Sequence, residues 1–352
     1  MPSHKRAVKT TLGNTGTPSS VVIGGSGYLG RYIVDSLLGA GHRVTVVSRS
    51  SKRTRALLGP SVRVIEGDIA AMNTNDWQRV FKGQDNVAFA AGIDERVPPV
   101  GDPSAFYQRE NVELIEPILK AAADGGVKRV ALLNSIFSTL DRLRPQIGLA
   151  QSHPYIASRV AQRDMALSVA RGSFTMTVLE IPWVFGTARG GESQWGPLVQ
   201  FARTTPRIFA PRGGTVVISA RNVGAATLGA LTLPKRSAAV PIGDQWMSWD
   251  DLLTELVLGC GREVVPVQRI PDKLLVQFNE LSGFWQKLFR LKSGLDYAKM
   301  HQFLLDDEPI NLAASQRKLG YKALDIRQSL RETAADVPES RALKAMRQLL
   351  GS

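Results

Sequence analysis

Apolar residues first gather at Val21-Val22-Ile23, which reads as a buried strand, and resume at helical spacing after Gly30 as Ile33, Val34, Leu37 and Leu38. Gly39 and Gly41 end that helix, and Arg43 to Val47 forms a second strand. The alternation continues with a strand at Val62 to Glu66, a helix near Trp77 to Phe81, and a strand at Asn86 to Ala91. A helix over Phe106 to Ala123, a strand at Arg129 to Leu133, a helix over Tyr155 to Ala170 and a strand at Phe174 to Ile181 follow. Pro117 lies inside the 106–123 run and predicts a kink or a late start there. Strands and helices in alternation make a parallel sheet covered on both faces, a doubly wound α/β (Rossmann) fold with ligands at the carboxyl ends of the strands.

From Pro182 onward the order loosens, because Gly186, Gly190, Gly191, Gly196, Pro197, Pro206, Pro211, Gly213 and Gly214 break the chain into short pieces. The pattern divides the chain into a basic arm (1–18), a nucleotide-binding domain (19–185), a smaller, mostly helical substrate domain (186–214 and 244–307) and a helical tail (331–352). Segments 215–243, with a strand at Thr215 to Ser219 and another at Ala238 to Ile242, and part of 308–330 are expected to return to the sheet domain. Between Lys273 and Leu291, the residues Leu274, Leu275, Phe278, Leu281, Trp285, Leu288 and Phe289 recur every three or four positions. That spacing predicts an amphipathic helix or helix pair, whose commonest meaning is a helix packed on the core. A lid over a lipophilic pocket and a weak membrane-surface contact through 273–291 are the other readings, given Lys273, Lys287 and Arg290.

The join between the first strand and first helix, Gly24-Gly25-Ser26-Gly27-Tyr28-Leu29-Gly30, carries chemistry. Side chains at Gly24, Gly27 and Gly30 would block the turn, the approach of a pyrophosphate to backbone N–H groups, and the packing of helix on strand. After the second strand an NAD site wants a carboxylate for the ribose hydroxyls. This chain has Ser48 and Arg49, then Lys52, Arg53 and Arg55, which favour the 2′-phosphate of NADP(H). Arg49 is the expected phosphate ligand and Ser48 a hydrogen-bond donor beside it.

The chain of 352 residues is 43% hydrophobic, ample for a core, and holds no apolar stretch long enough to cross a bilayer. Its one cysteine, Cys260, excludes an internal disulfide and fits a reducing, cytoplasmic setting. His4, His42, His153 and His301 are scattered without ligand spacing, so no metal is expected. The net charge of +13 is spread along the chain without a nucleic-acid module, and an anionic cofactor accounts for it more simply than nucleic acid does. Residues 1–18 read as a disordered arm: they are too short for a transit peptide, lack an amphipathic face, and have no secretory apolar core.

Further motifs follow in order: Gly67-Asp68, Ala90-Ala91-Gly92, Asn111-Val112, Asn134-Ser135, Pro154-Tyr155-Ile156-Ala157-Ser158-Arg159, Ile181 to Gly186, and Arg317-Lys318-Leu319-Gly320-Tyr321. With the glycine turn they make residues 20 to 330 resemble the extended short-chain dehydrogenase/reductases, the NAD-dependent epimerase/dehydratase-like group. The resemblance implies that Gly24, Ser26, Gly27, Tyr28, Leu29 and Gly30 cradle the cofactor. Ser48, Arg49 and Arg53 would take its adenosine phosphate, Asp68 and Ile69 would meet the adenine, Ala90, Ala91, Gly92 and Asn111 would line its path, and Pro182, Trp183 and Val184 would lie against the nicotinamide. Ser135 would bond the substrate oxygen and Tyr155 would be the general acid/base. The family carries lysine four residues after the tyrosine, and Arg159 stands there instead. Arginine keeps the charge and the hydrogen bonds but cannot release a proton. Asn134 and Asn222 are smaller departures, from serine and aspartate.

The resemblance implies an NADP-dependent oxidoreductase that reduces a ketone, or oxidises the alcohol, of a lipophilic small molecule. The 273–291 segment and Trp183, Trp195, Trp246 and Trp249 are the residues that would make its pocket apolar. A sugar-nucleotide epimerase or dehydratase is the alternative, with Arg189, Arg203, Arg207 and Arg212 as candidates for a diphosphate. A non-catalytic NADP(H)-binding regulatory or assembly protein is the third reading, motivated by Arg159. Members of the family pair through two sheet-domain helices, so a homodimer is a family expectation.

Overall fold

Strands buried on both faces are what a sheet covered by helices on two sides requires, and a computed structural model shows that sheet. It describes residues 16–188, 193–233, 236–307 and 309–340. Residues 1–15 of the basic arm, Arg189, Gly190 and Gly191, and residues 341–352 of the tail lie outside the described residues. In chain order come β1 (Ser19–Ile23), α1 (Tyr28–Gly39), β2 (Arg43–Ser48), α2 (Ser51–Leu58), β3 (Val62–Glu66), α3 (Thr74–Phe81) and β4 (Asn86–Phe89). Next are α4 (Pro103–Gln108), α5 (Glu116–Asp124), β5 (Arg129–Ser135), α6 (Phe137–Leu143), α7 (Leu149–Ser152), α8 (Pro154–Val169), β6 (Thr175–Ile181) and β7 (Trp183–Phe185). Then α9 (Gly196–Thr204), β8 (Ile208–Ala210), β9 (Gly214–Ser219), α10 (Ala220–Thr232), β10 (Ala238–Pro241), β11 (Gln245–Ser248) and α11 (Trp249–Gly259) follow. The chain closes with β12 (Val267–Arg269), α12 (Asp272–Leu288), α13 (His301–Leu304), α14 (Ala313–Leu319) and α15 (Ile326–Asp336).

Seven parallel strands pair in the order β3-β2-β1-β4-β5-β6-β10. The chain winds outward from β1 to β3 and then returns to β4, so the order reverses between β1 and β4 and leaves a crevice at their carboxyl ends. Ile33 and Leu37 of α1 with Val223 and Ala226 of α10 cover one face. Trp77 and Phe81 of α3, Leu119 of α5 and Ala166 of α8 cover the other. The 106–123 run does not start late but is interrupted: α4 already begins at Pro103, and a single π-turn over Arg109–Glu113 follows in which Leu114 N–H reaches the Arg109 carbonyl at 3.0 Å. Helix α5 begins afresh at Glu116 with Pro117 in its first turn, where its missing N–H costs nothing. β10 extends the main sheet beside β6, whereas β9 pairs with β7 and β11 in a separate three-stranded sheet.

Helix α10 lies on α1 by virtue of its glycines. A Cβ on Gly224 would fall 2.4 Å from the Tyr32 carbonyl oxygen, and one on Gly229 would fall 1.8 Å from the Leu319 carbonyl oxygen of α14. Asn222 is also explained: its amide donates to the buried Asp244 carboxylate and to the Lys322 carbonyl at 2.8 Å. An aspartate there would set two carboxylates against each other, so a donor is required.

Helix α12 departs from its commonest reading. Its buried residues are Leu275, Asn279 and Gly283, while Leu274, Phe278, Leu281, Phe284, Trp285 and Leu288 are exposed. The apolar face points outward because the opposite, small and polar face fits the chain that follows. Gly283 packs on Ala298, and Gln286 donates to the Leu295 carbonyl at 3.0 Å and accepts from Tyr297 N–H at 3.0 Å. Periodicity marks the apolar stripe but not what it faces.

Substituting Gly229→Ala forces α10 away from α14 and should cost about 1–3 kcal/mol of stability, read as a lower urea midpoint with an unchanged m-value.

Candidate active site

The glycine turn is built by close approach of backbones. Gly24 has φ +84°, and a Cβ there would lie 2.8 Å from Ala91 N; one on Gly30 would lie 2.1 Å from the Gly24 carbonyl oxygen. Side chains larger than hydrogen are excluded where β1, β4 and α1 meet. Gly27 caps α1 without a side-chain hydrogen bond, which leaves the first N–H groups of that helix available to an anion. Tyr28 uses its hydroxyl elsewhere, donating to the Gly186 carbonyl at 3.3 Å, and burial pushes its phenol far up. A dinucleotide pyrophosphate fits this cradle.

At the end of β2, Ser48 Oγ lies 3.1 Å from Ser26 Oγ and accepts from Thr54 Oγ1 at 2.8 Å, joining the glycine turn to α2. Arg49 and Arg53 are exposed there, with Ser50 capping α2 through Arg53 N–H. The neighbouring strand contributes a carboxylate that reading along the chain did not reveal: Glu66 stands opposite Ser48 in register. It accepts from Ser51 N–H at 2.9 Å, and the hydrogen bonds from Ser51 hold its carboxyl below the usual range. Asp68 is exposed and accepts from Ala70 N–H, with Ile69 half-buried beside it.

Behind the turn, Ala90 continues β4, its N–H donating to the Ile23 carbonyl at 2.9 Å. Gly92 faces the next part of the site: a Cβ on it would lie 3.5 Å from Arg159 Nη1 and 3.9 Å from Asn111 Oδ1. Asn111 is fully buried in the π-turn, and its Oδ1 accepts from Ile93 N–H while its Nδ2 donates to Ser158 Oγ. These bonds make it a support for the loop after β4.

Ser135, Tyr155 and Arg159 come together from β5 and α8. The Arg159 guanidinium carbon stands 5.7 Å from the centre of the Tyr155 ring, and Tyr107 closes the other side at 5.6 Å. Burial pushes the Tyr155 phenol up to about 12, opposed by the charge of Arg159 and by a Ser135 hydrogen bond, and reinforced by Glu95 and Asp94. The acidic pair comes from the loop after β4, where burial raises the Glu95 carboxyl in turn. Neither residue belongs to a recognisable motif, so only the folded loop reveals them.

Arg159 is fixed from behind by Gln162. Gln162 Oε1 accepts from Arg159 Nη1 at 3.0 Å and from Asn134 Nδ2 at 2.8 Å, while its Nε2 donates to the Asn111 carbonyl at 2.6 Å. Asn134 also donates to the Arg159 carbonyl and accepts from Ser135 N–H and Ser138 Oγ. Arg159 Nε is a buried donor without a partner among the described residues, and ribose hydroxyls of a dinucleotide would satisfy it. Gln162 lies one turn beyond Arg159, which is the signal that reading for family motifs passed over.

The pocket beyond Ser135 is aromatic. Ile136, Phe137, Trp183, Trp246, Trp249 and Phe303 line it with Val216, and among its described lining residues there is no lysine or arginine. Asp306 also lines it, ion-paired with Arg144 at 2.5 Å. Pro182 and Val184 flank Trp183 and are buried. Trp195 does not line the pocket: it stacks on Trp183 at 4.8 Å and donates to the Val184 carbonyl at 2.6 Å. Three basic candidates for a diphosphate are engaged elsewhere. Arg203 binds the Ala334 and Val337 carbonyls, Arg207 binds Gln268, and Arg212 pairs with Asp272 and Asp307. Arg189 lies outside the described residues.

Comparison with known proteins agrees with this architecture. The chain is 25% identical over 243 residues, 67% of its own length and 69% of the relative's, to a 4-hydroxy-2-methyl-3-oxo-4-farnesyl-3,4-dihydroquinoline-1-oxide ketoreductase of Stigmatella aurantiaca. It superposes on the solved structure of gox2253 with a TM-score of 0.72 and 17% identity, covering 91% of this chain and 98% of that one. A UDP-glucuronic acid 4-epimerase from Bacillus cereus, solved with UDP-glucuronic acid and NAD, gives a TM-score of 0.65 and 13% identity over 91% of this chain and 98% of that one. At such identities these structures show a shared fold. The model of the NAD dependent epimerase/dehydratase family matches residues 20–200, a stretch that holds the glycine turn, Ser135 and Tyr155. The chain therefore belongs to the NAD dependent epimerase/dehydratase family.

Proposed function

We propose that this protein is an NADPH-dependent reductase of a lipophilic ketone, with Tyr155 as proton donor. The carrying observation is the aromatic pocket that begins at Ile136, the residue after Ser135, and is walled by three tryptophans and two phenylalanines, with no cation among its described lining residues to hold a diphosphate. The name of the Stigmatella relative, which describes a ketone on a farnesylated ring, supports the same substrate class.

A bound reduced nicotinamide supplies the hydride. Ser135 polarises the substrate carbonyl by donating to its oxygen, and Tyr155 passes its phenolic proton to that oxygen as the C=O bond becomes an alcohol. A phenol pushed up to about 12 keeps its proton through neutral pH, which suits the acid role and the reducing direction. Arg159 cannot relay a proton, but held by Gln162 it keeps a positive charge against Tyr155 and offers its buried donors to the ribose. Arg49 at the end of β2 is the expected ligand of the 2′-phosphate, while the Glu66 carboxylate on the neighbouring strand is bonded to Ser51 N–H.

NADPH should bind at least about ten times more tightly than NADH, the worth of one charge-assisted hydrogen bond or more; Arg49→Ala should narrow that gap, and equal dissociation constants by calorimetry would remove the cofactor assignment. Tyr155→Phe should lower kcat by about 10²–10⁴-fold with NADPH binding kept. Gln162→Ala should cut kcat less, and the wild-type reduction rate should show no loss from phenol ionisation between about pH 6 and 9. Finally, NADPH oxidation across a panel of carbonyl compounds should rise with their lipophilicity. Turnover of nucleotide sugars alone would assign the site to epimerase chemistry instead.

A further inference from the structure

The outward face of α12 gathers a row of exposed large apolar side chains among the described residues. Leu274, Phe278, Leu281, Phe284, Trp285 and Leu288 are between 44% and 63% exposed. At 3.6 residues per turn they fall within an arc of about 120° on one side of the helix. The stripe does not end with the helix. Arg290 adopts a left-handed conformation at φ 50°, and Leu291 N–H bonds the Gln286 carbonyl at 2.8 Å, so Phe289 and Leu291 also stand outward.

Charge identifies the occupant. Lys273 and Lys287 border the apolar arc, Arg290 and Lys292 follow at its end, and Glu280 is the only acidic residue from 273 to 292. Pairing with a second copy about a two-fold axis would bring these cation-rich segments together with one glutamate each to offset them. An anionic bilayer offers what both parts of the face need, acyl chains for the rings and headgroups for the cations. The described helices include none long and apolar enough to cross a membrane, so such a contact would be interfacial.

We propose that α12 seats this protein on the surface of an anionic lipid bilayer. The turn after α12 ties that surface to the site: the Gly294 carbonyl accepts from Tyr155 N–H at 2.9 Å, and Asp296 N–H donates to His153 Nδ1 at 3.0 Å. The seat stands whether or not the chemistry at Tyr155 is reduction of a ketone.

The test is flotation of the full chain with vesicles of phosphatidylcholine carrying about 30% phosphatidylglycerol, set beside pure phosphatidylcholine. Binding to the anionic vesicles should be at least about tenfold stronger, should weaken as salt rises, and should shift tryptophan emission to shorter wavelength, with a smaller shift in Trp285→Phe. Phe278→Glu with Trp285→Glu should lower binding at least about tenfold, with circular dichroism and NADPH affinity unchanged as evidence of folding. Equal flotation of that double variant, or none by the wild type, would overturn the proposal. So would a dimer in light scattering that the double variant dissociates, because the face would then be an interface between copies.

Discussion

The approach of β4 to the turn after β1 constrains everything else in this structure. Gly24 holds a left-handed conformation because the backbone of Ala90 and Ala91 occupies the space where its side chain would be, and Gly30 brings the first turn of α1 onto the same point. That crowding sets the crevice at the reversal of strand order and leaves the N–H groups of α1 facing it. It also carries the chain past Ala91 to Gly92, which lies against Arg159.

From that point the site is held by polar groups of distant origin. Asn134 at the end of β5, Asn111 in the π-turn and Gln162 on α8 share a buried network whose charged member is Arg159. A buried guanidinium is tolerated when carbonyl oxygens surround it, and Gln162 and Leu133 supply them. The substitution of arginine for the family's lysine is thus matched by its surroundings. The charge stays near Tyr155, where burial would otherwise favour the neutral phenol still more.

The second half of the chain supplies walls, not chemistry. β7 and β9 bring Trp183 and Val216 to the pocket, and β11 and α11 add Trp246 and Trp249. Trp195 braces Trp183 from behind by stacking. Among the described residues, the three arginines offered for a diphosphate, Arg203, Arg207 and Arg212, are engaged by carboxylates and carbonyls of the same half, so the apolar lining of the pocket follows from how these elements pack.

In the first half the short helices α2, α6 and α7 were not legible, whereas the main-sheet strands and the longer helices between them were legible from apolar spacing, as were the glycine turn and a break in the helical run at Pro117. These depend on local rules: helical and strand periodicity, the reach of a backbone turn, the missing N–H of proline. The resemblance carried by Ser135, Tyr155 and Arg159 rested on short motifs and needed no contact to be read. What lay outside the sequence depends on which surfaces meet. Glu95 and Glu66 enter the site through chain reversals that no spacing rule states, and β9 leaves the main sheet for partners chosen by packing. Helix α12 makes the point most plainly. Its periodicity is that of a core helix, but the small polar face fits Ala298 and Leu295, so tertiary contacts alone turn the apolar stripe toward the outside.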